Sequence, residues 1–289
     1  MTEKLQEGCT VQPQTKEELA AIIYNTCQEK GGWDCDLNFI DTSKITDMSY
    51  LFSDDVIYVD GFRLSNFCGN ISKWDTSNVT DMSYMFYGAQ SFNQQLNNWD
   101  VSSVTDMSFM FCDANSFNQP LDKWNVSHVT DMQGMFWDAD SFNQNINNWD
   151  VSNVTNMSRM FSFAESFNQH LDNWDVSNVT DMSRMFHYAG SFNQPLNNWD
   201  TSNVTEMQSM FHYAFNFNQP LDKWNLKEDS NIEAMFLDAN SFNSELPKFK
   251  NYKGTKEELL EILGLPFDFN PEIKEEQDQE KTHKKGMCR

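Results

Sequence analysis

The chain has 289 residues, 39% hydrophobic and 14% aromatic, which is enough to bury a large core and excludes a wholly disordered or collagen-like chain. Its 43 acidic and 20 basic side chains leave a formal charge of -23, which repels nucleic acid and anionic membrane surfaces. Six cysteines are scattered without a C-x-x-C pair, so their spacing suggests neither a zinc site nor a ladder of disulfides; free thiols in a reducing compartment are the expectation.

Residues 1–37 read as an N-terminal tail and a capping helix. No apolar run here has the length of a signal peptide, and no later run approaches a transmembrane span, which predicts a cytoplasmic chain without membrane insertion. "TKEELAAIIYNTC", from Thr15, starts the helix: Thr15 and Glu18 have the spacing of a capping box, and Leu19, Ile22 and Ile23 form a face able to cover the open end of a core. Gly31 and Gly32 stop it.

From 38 to 247 the sequence repeats. Tryptophan recurs at 74, 99, 124, 149, 174, 199 and 224, and Met–Phe at 85–86, 110–111 and onward to 235–236, a fixed period of 25. A unit of that size cannot bury its own apolar face and must stack on its neighbours. "LNNWDVSSV", from Leu96, overlays the leucine-rich-repeat pattern and predicts a parallel strand over Asn98–Ser102, with Trp99 and Val101 inward and Asn98, Asp100 and Ser102 outward. "TDMSYMFYGA" places Met82, Met85, Phe86 and Ala89 on one face of a short helix, with Thr80 or Asp81 as its N-cap. The fold class expected is therefore an α/β repeat, a leucine-rich-repeat-like solenoid of about eight coils of 25 residues, each with a short parallel strand and a short helix, closed by helical caps. Asn93, Asn118, Asn143, Asn168, Asn193, Asn218 and Asn243 form a column that predicts a ladder bonding the backbone of turns.

The first coil is worn: Ile40 stands in the tryptophan slot, Leu51 in a methionine slot, and nine extra residues follow. In the last, Asp229 and Ile232 replace a valine and a methionine. A second capping helix is expected within 248–267, from Thr255 with Glu258, presenting Leu259, Ile262 and Leu263 and stopped by Gly264 and Pro266. Residues 268–289 are charged and nearly free of large apolar side chains, which predicts a disordered tail.

"FNQPLNNWD", "WDVSNVTDMSRMF" and "DTSKITDMSYLF" resemble the BspA-type leucine-rich-repeat family of bacterial proteins over roughly 38–245. The resemblance implies an extended surface or secreted repeat protein in adhesion or host interaction, without an enzymatic role, and it carries over no functional residues. The lack of a signal peptide departs from the exported members.

Candidate sites lie on the outer faces of the repeat. An acidic column, Asp75, Asp100, Asn125, Asp150, Asp175, Asp200 and Asn225, runs along the expected sheet; in-register carboxylates ~4.8 Å apart repel by about 0.9 kcal/mol in water, so a calcium-stabilised structural or surface protein is the alternative reading. The two slots after each Met–Phe vary from coil to coil, which suits a recognition surface. Stacking gathers Trp137, Phe163, His187, Tyr188, His212 and Tyr213 into one aromatic ridge bordered by Arg159 and Arg184. No nucleotide-binding, hydrolase or metalloprotease motif occurs, and His187 with His212 makes only two imidazoles, so the expectation is no enzyme, no cofactor and no metal beyond weak calcium. The function expected is a protein-interaction or adhesion scaffold whose partner is a protein or cell-surface ligand and not a nucleic acid.

Overall fold

The computed structural model describes residues 10–56, 61, 63–249 and 254–270. Its first element, α1, spans Lys16–Lys30. Thr15 Oγ1 accepts the Glu18 amide, while the Glu18 carboxylate reaches back to the amide of Gln14. Gly31, at φ 75, ends the helix in the left-handed region, and the amides of Gly31 and Gly32 return to the carbonyls of Gln28 and Cys27. Leu19, Ala20, Ile23 and Cys27 are buried against the first coil, and Ile22 is half-buried.

Beyond α1 the chain is a succession of turns stacked in 25-residue register. Single parallel bridges join Asp81 to Asp106, Asp106 to Asp131, and so on to Glu206 and Asn231; Asp47 pairs with Asp81 across a step of 34, the period plus the nine inserted residues. Among the described residues the short strand and short helix expected in every coil are not formed, apart from two strand residues, Asn225–Leu226, in the last coil. Over Asn98–Ser102 the backbone groups are spent elsewhere: Trp99 N–H returns to Leu96 O, Val101 O accepts the Val104 amide, Asp100 Oδ1 takes the Ser102 amide, and Asp100 O accepts the Thr76 hydroxyl. The ladder moves to the Asp of "TDM". Trp99 and Val101 are nonetheless buried, and Asn98 and Asp100 exposed, as alternation requires.

The Met82–Ala89 segment differs from a helix in how it uses its amides. Those of Met82, Tyr84, Phe86 and Gly88 donate to the carbonyls of Asp106, Ser108, Met110 and Cys112 in the next coil, whereas those of Met85, Tyr87 and Ala89 close turns three residues back. Tyr84 and Gly88 take φ of 56 and 69, which no right-handed helix admits. A chain that turns every two residues still places Met82, Met85, Phe86 and Ala89 inward, all at 0% exposure, so the burial is helix-like and the backbone is not. Thr80 and Asp81 therefore cap no helix. The Thr80 hydroxyl donates to Thr46 O, and Asp81 Oδ1 accepts the Ser83 amide.

Stacked side chains fill the interior. Phe52, Phe86, Phe111, Phe136, Phe161, Phe186, Phe211 and Phe236 follow one another with ring centroids 5.3–5.8 Å apart. In the tryptophan column each indole N–H reaches a carbonyl 28 residues back, as from Trp124 to Leu96 and from Trp149 to Leu121, except at Trp74, which spans 37 residues to Leu37 in the first coil. The asparagine ladder forms: Asn143 Oδ1 accepts the amide of Asn168 and the side chain of Gln169, and Asn168 Oδ1 accepts those of Asn193 and Gln194.

The far end is closed by β1 (Asn225–Leu226), β2 (Lys248–Phe249) and α2 (Lys256–Leu263). β1 and β2 pair in parallel. Thr255 and Glu258 form the full capping box of α2. The amides of Ala234 and Phe236, which in an inner coil would donate to the next coil, donate instead to Ile262 O and Leu263 O at 2.7 and 2.9 Å. The otherwise unpaired carbonyls at the end of α2 thus stand in for a missing coil. This docking turns Leu260 and Leu263 inward, leaves Leu259 half-buried and exposes Ile262 at 41%, a rotation from the expected face of Leu259, Ile262 and Leu263. Phe269, within the expected tail, is buried and stacks on Phe242 at 5.9 Å. The rest of that tail, 271–289, lies outside the described residues.

Candidate functional site

The variable slots lie on the turn face of the stack, at positions made by the alternating amide pattern. Among the described residues thirteen non-glycine residues have positive φ, and all occupy two slots, those of Tyr84 and Gly88 in successive coils. An L-residue there carries strain of order 1–3 kcal/mol that glycine would relieve. Yet Tyr50, Tyr84, Phe109, Phe163, Tyr188 and Tyr213, six of the thirteen, are aromatic. Local backbone preference does not select such side chains.

Phe163, Tyr188 and Tyr213 stand in one slot of three successive coils, with ring centroids 4.7 and 4.3 Å apart. His187 and His212 run beside them, 5.1 Å apart, and the His187 ring meets Phe163 edge-on at 5.0 Å. Phe215, 42% exposed, packs against Tyr188 and Tyr213. Trp137 is set apart from this group. Its ring contacts are Phe109, 6.0 Å away, and the Arg159 guanidinium, 5.8 Å from the ring centroid. Arg184 occupies the slot of Arg159 one coil on and is half-buried. The eight expected residues thus form a row of five rings and a separate Trp137–Arg159 pair, with Arg184 alongside.

Tyr50, Tyr84 and Phe109 extend the aromatic surface and were not anticipated. Tyr84 stacks on Tyr50 at 4.5 Å and on Phe109 at 4.7 Å. Phe109 lies over Gly134, where an added Cβ would meet its ring. The signal was the residue just before Met–Phe, variable like the two after it but assigned to a helix. In place of outward helical positions the slots are half-buried, apart from Leu237 and Asp238, which are exposed in the last coil, and Cys112 and Ser162, which are buried.

The electrostatic setting is acidic at both ends of the row. Asp138, beside Trp137, has its carboxyl raised by burial and then by the charges of Asp140, Asp113 and Glu165. At the other end a hydrogen bond with Asp238 raises the Tyr213 phenol. Between them burial, reinforced by His212, pulls His187 down to about 4. Burial also lowers His212 against the opposing pull of Asp238, whose oxygen is 3.9 Å from Nε2 and makes no hydrogen bond to it. Desolvation outweighs that distant ion pair. The two imidazoles are therefore neutral at physiological pH.

In the acidic column, Asp75, Asp100, Asp150, Asp175 and Asp200 each accept at Oδ1 the amide of the serine two residues on, and Asn125 does the same for Ser127. The hydroxyl of that serine, and then its amide, lower Asp100 and Asp175. Among the described residues no three histidine, cysteine or acidic side chains converge as a metal cage. No helix among them is long and apolar enough to cross a membrane.

Comparison with known families places three overlapping segments, 23–146, 59–173 and 139–249, in the family described as Mycoplasma protein of unknown function, DUF285. No curated protein matches the chain, and no solved structure does.

Proposed function

The chain belongs to the DUF285 family and is a repeat protein, and from that premise we propose that it is a non-enzymatic interaction scaffold whose partner binds along the aromatic row. The observation that carries this reading is the placement of Phe163, Tyr188 and Tyr213 where the backbone favours glycine. Ring stacking at ~0.5–1.5 kcal/mol per pair offsets part of the strain, and glycine would have avoided it altogether. A constant core under variable surface slots is what recognition by a repeat protein requires. Its likeness to the BspA-type family agrees with an adhesion or interaction role.

The partner's chemistry follows from the surroundings. Acids flank the row, and the whole chain carries -23, so a basic segment with aromatic or long aliphatic side chains fits best. The stated test is selection from a displayed random-peptide library on the native protein, with counter-selection on a variant carrying Phe163→Asn, Tyr188→Asn and Tyr213→Asn. Asparagine tolerates positive φ, so the variant keeps its backbone. Enriched peptides should be basic and should lose at least tenfold in affinity for the variant. Peptides that bind both proteins equally would remove the row from the account.

A further inference from the structure

At the end of α1 the chain turns through Gly31 and Gly32 and brings Cys35 back to Cys27. The two Sγ atoms are 2.6 Å apart, with the residues only 2% and 6% exposed. That is nearer to the ~2.05 Å of a sulfur–sulfur bond than to the spacing of unbonded sulfur atoms. The returning segment is held in place: Cys68 N–H donates to Trp33 O, Asn70 N–H donates to Cys35 O, and Asp36 bridges to Asn70. Gly69 leaves no room for slack, because a Cβ there would run into the backbone of Cys35. Cys68 is half-buried nearby, and its charge bears on Cys27.

We propose that Cys27 and Cys35 are a thiol–disulfide site that staples the cap helix to the stack, with a low-molecular-weight disulfide, RSSR, as oxidant. One protein thiolate attacks RSSR, forming a mixed disulfide and expelling RS⁻. The second protein thiol gives its proton to solvent and attacks the protein sulfur of that mixed disulfide, expelling the second RS⁻. Two thiols lose two protons and two electrons, and RSSR becomes two RSH. Burial pushes the Cys27 thiol up, so exchange is slow with the cap closed and runs when α1 opens or before it docks. Sequence spacing gave no hint, because seven residues separate the pair and its proximity arises from the reversal at Gly31.

Tryptic cleavage separates the three cysteines into peptides 17–30, 31–44 and 64–73. The full chain would be equilibrated with excess oxidised glutathione, alkylated in denaturant, digested without reduction and examined by mass spectrometry. The expected product is 17–30 linked to 31–44, in the native chain and equally in Cys68→Ser. Separate glutathione adducts or alkylated forms of the two peptides, or a link to 64–73, would overturn the assignment. Amide exchange in α1 should slow severalfold on oxidation of the native chain and be redox-independent in Cys27→Ser. Identical exchange in the oxidised and reduced native chain would show that no staple exists.

Discussion

Trp149 illustrates how single residues hold a coil. Its ring is 3% exposed, it stacks on Trp124 at 6.3 Å, and its indole N–H occupies the Leu121 carbonyl. Trp149→Phe keeps most of the apolar area and removes one of the two hydrogen bonds to that carbonyl, which still accepts the Trp124 amide, so it should lower stability by about 0.5–1.5 kcal/mol in urea denaturation. Trp149→Ala adds a cavity and should cost about 3–5 kcal/mol. Native stability in Trp149→Phe would mean the hydrogen bond contributes nothing, and equal losses in the two variants would mean the buried ring area contributes nothing. His187 supplies a pH signature. Its pKa is about 4 in the fold against 6.5 in the open chain, so the unfolded state binds more protons between those values. The stability it contributes is complete above 6.5 and is lost as pH falls through that window. The melting temperature of His187→Gln should accordingly fall less than that of the native chain on acidification from pH 7 to 4.5. Equal falls would show that His187 is not held neutral.

At the scale of elements, the docking of α2 distinguishes the two sides of one short helix. Leu263→Ala removes a side chain at 0% exposure and should cost about 2–5 kcal/mol, with faster amide exchange concentrated in 225–249. Ile262→Ala, at 41% exposure, should cost well under half as much. The reverse order would restore the face read from the sequence. That reading placed both capping helices, because Thr15–Glu18 and Thr255–Glu258 are local signals. It missed which side of α2 faces the stack, because two carbonyls and the last coil's amides settle that together. The coil interior was misassigned for a related reason. Met82, Met85, Phe86 and Ala89 satisfy helical spacing, and nothing in a hydropathy pattern reveals that alternate amides bond to the next coil. The positive φ at Tyr84, Phe109 and Phe163 was equally hidden, since those slots hold aromatics in place of the glycine or asparagine that marks a left-handed turn. The five-ring row was therefore legible by position in the repeat, whereas its extension through Tyr50, Tyr84 and Phe109 was not.

Across the whole molecule, stacked columns make every coil depend on its neighbours' register. The Phe, Trp, Asn and Thr ladders all advance by one unit, and each coil's amides meet carbonyls of the next. Such an assembly tolerates a change in the number of units far better than a change in their length. The same stacking carries the surface slots into a continuous row, so the proposed recognition face rests on this register. Removal of one unit, residues 147–171, joins Ile146 to Asp172 and restores an apolar residue three before Trp174. The account predicts that this variant unfolds cooperatively, with a far-ultraviolet dichroism spectrum of native shape. Removal of 147–170 or 147–172 should abolish the cooperative transition. If all three deletions melt alike, or if the whole-unit deletion alone fails to fold, the coils are not stacked in 25-residue register.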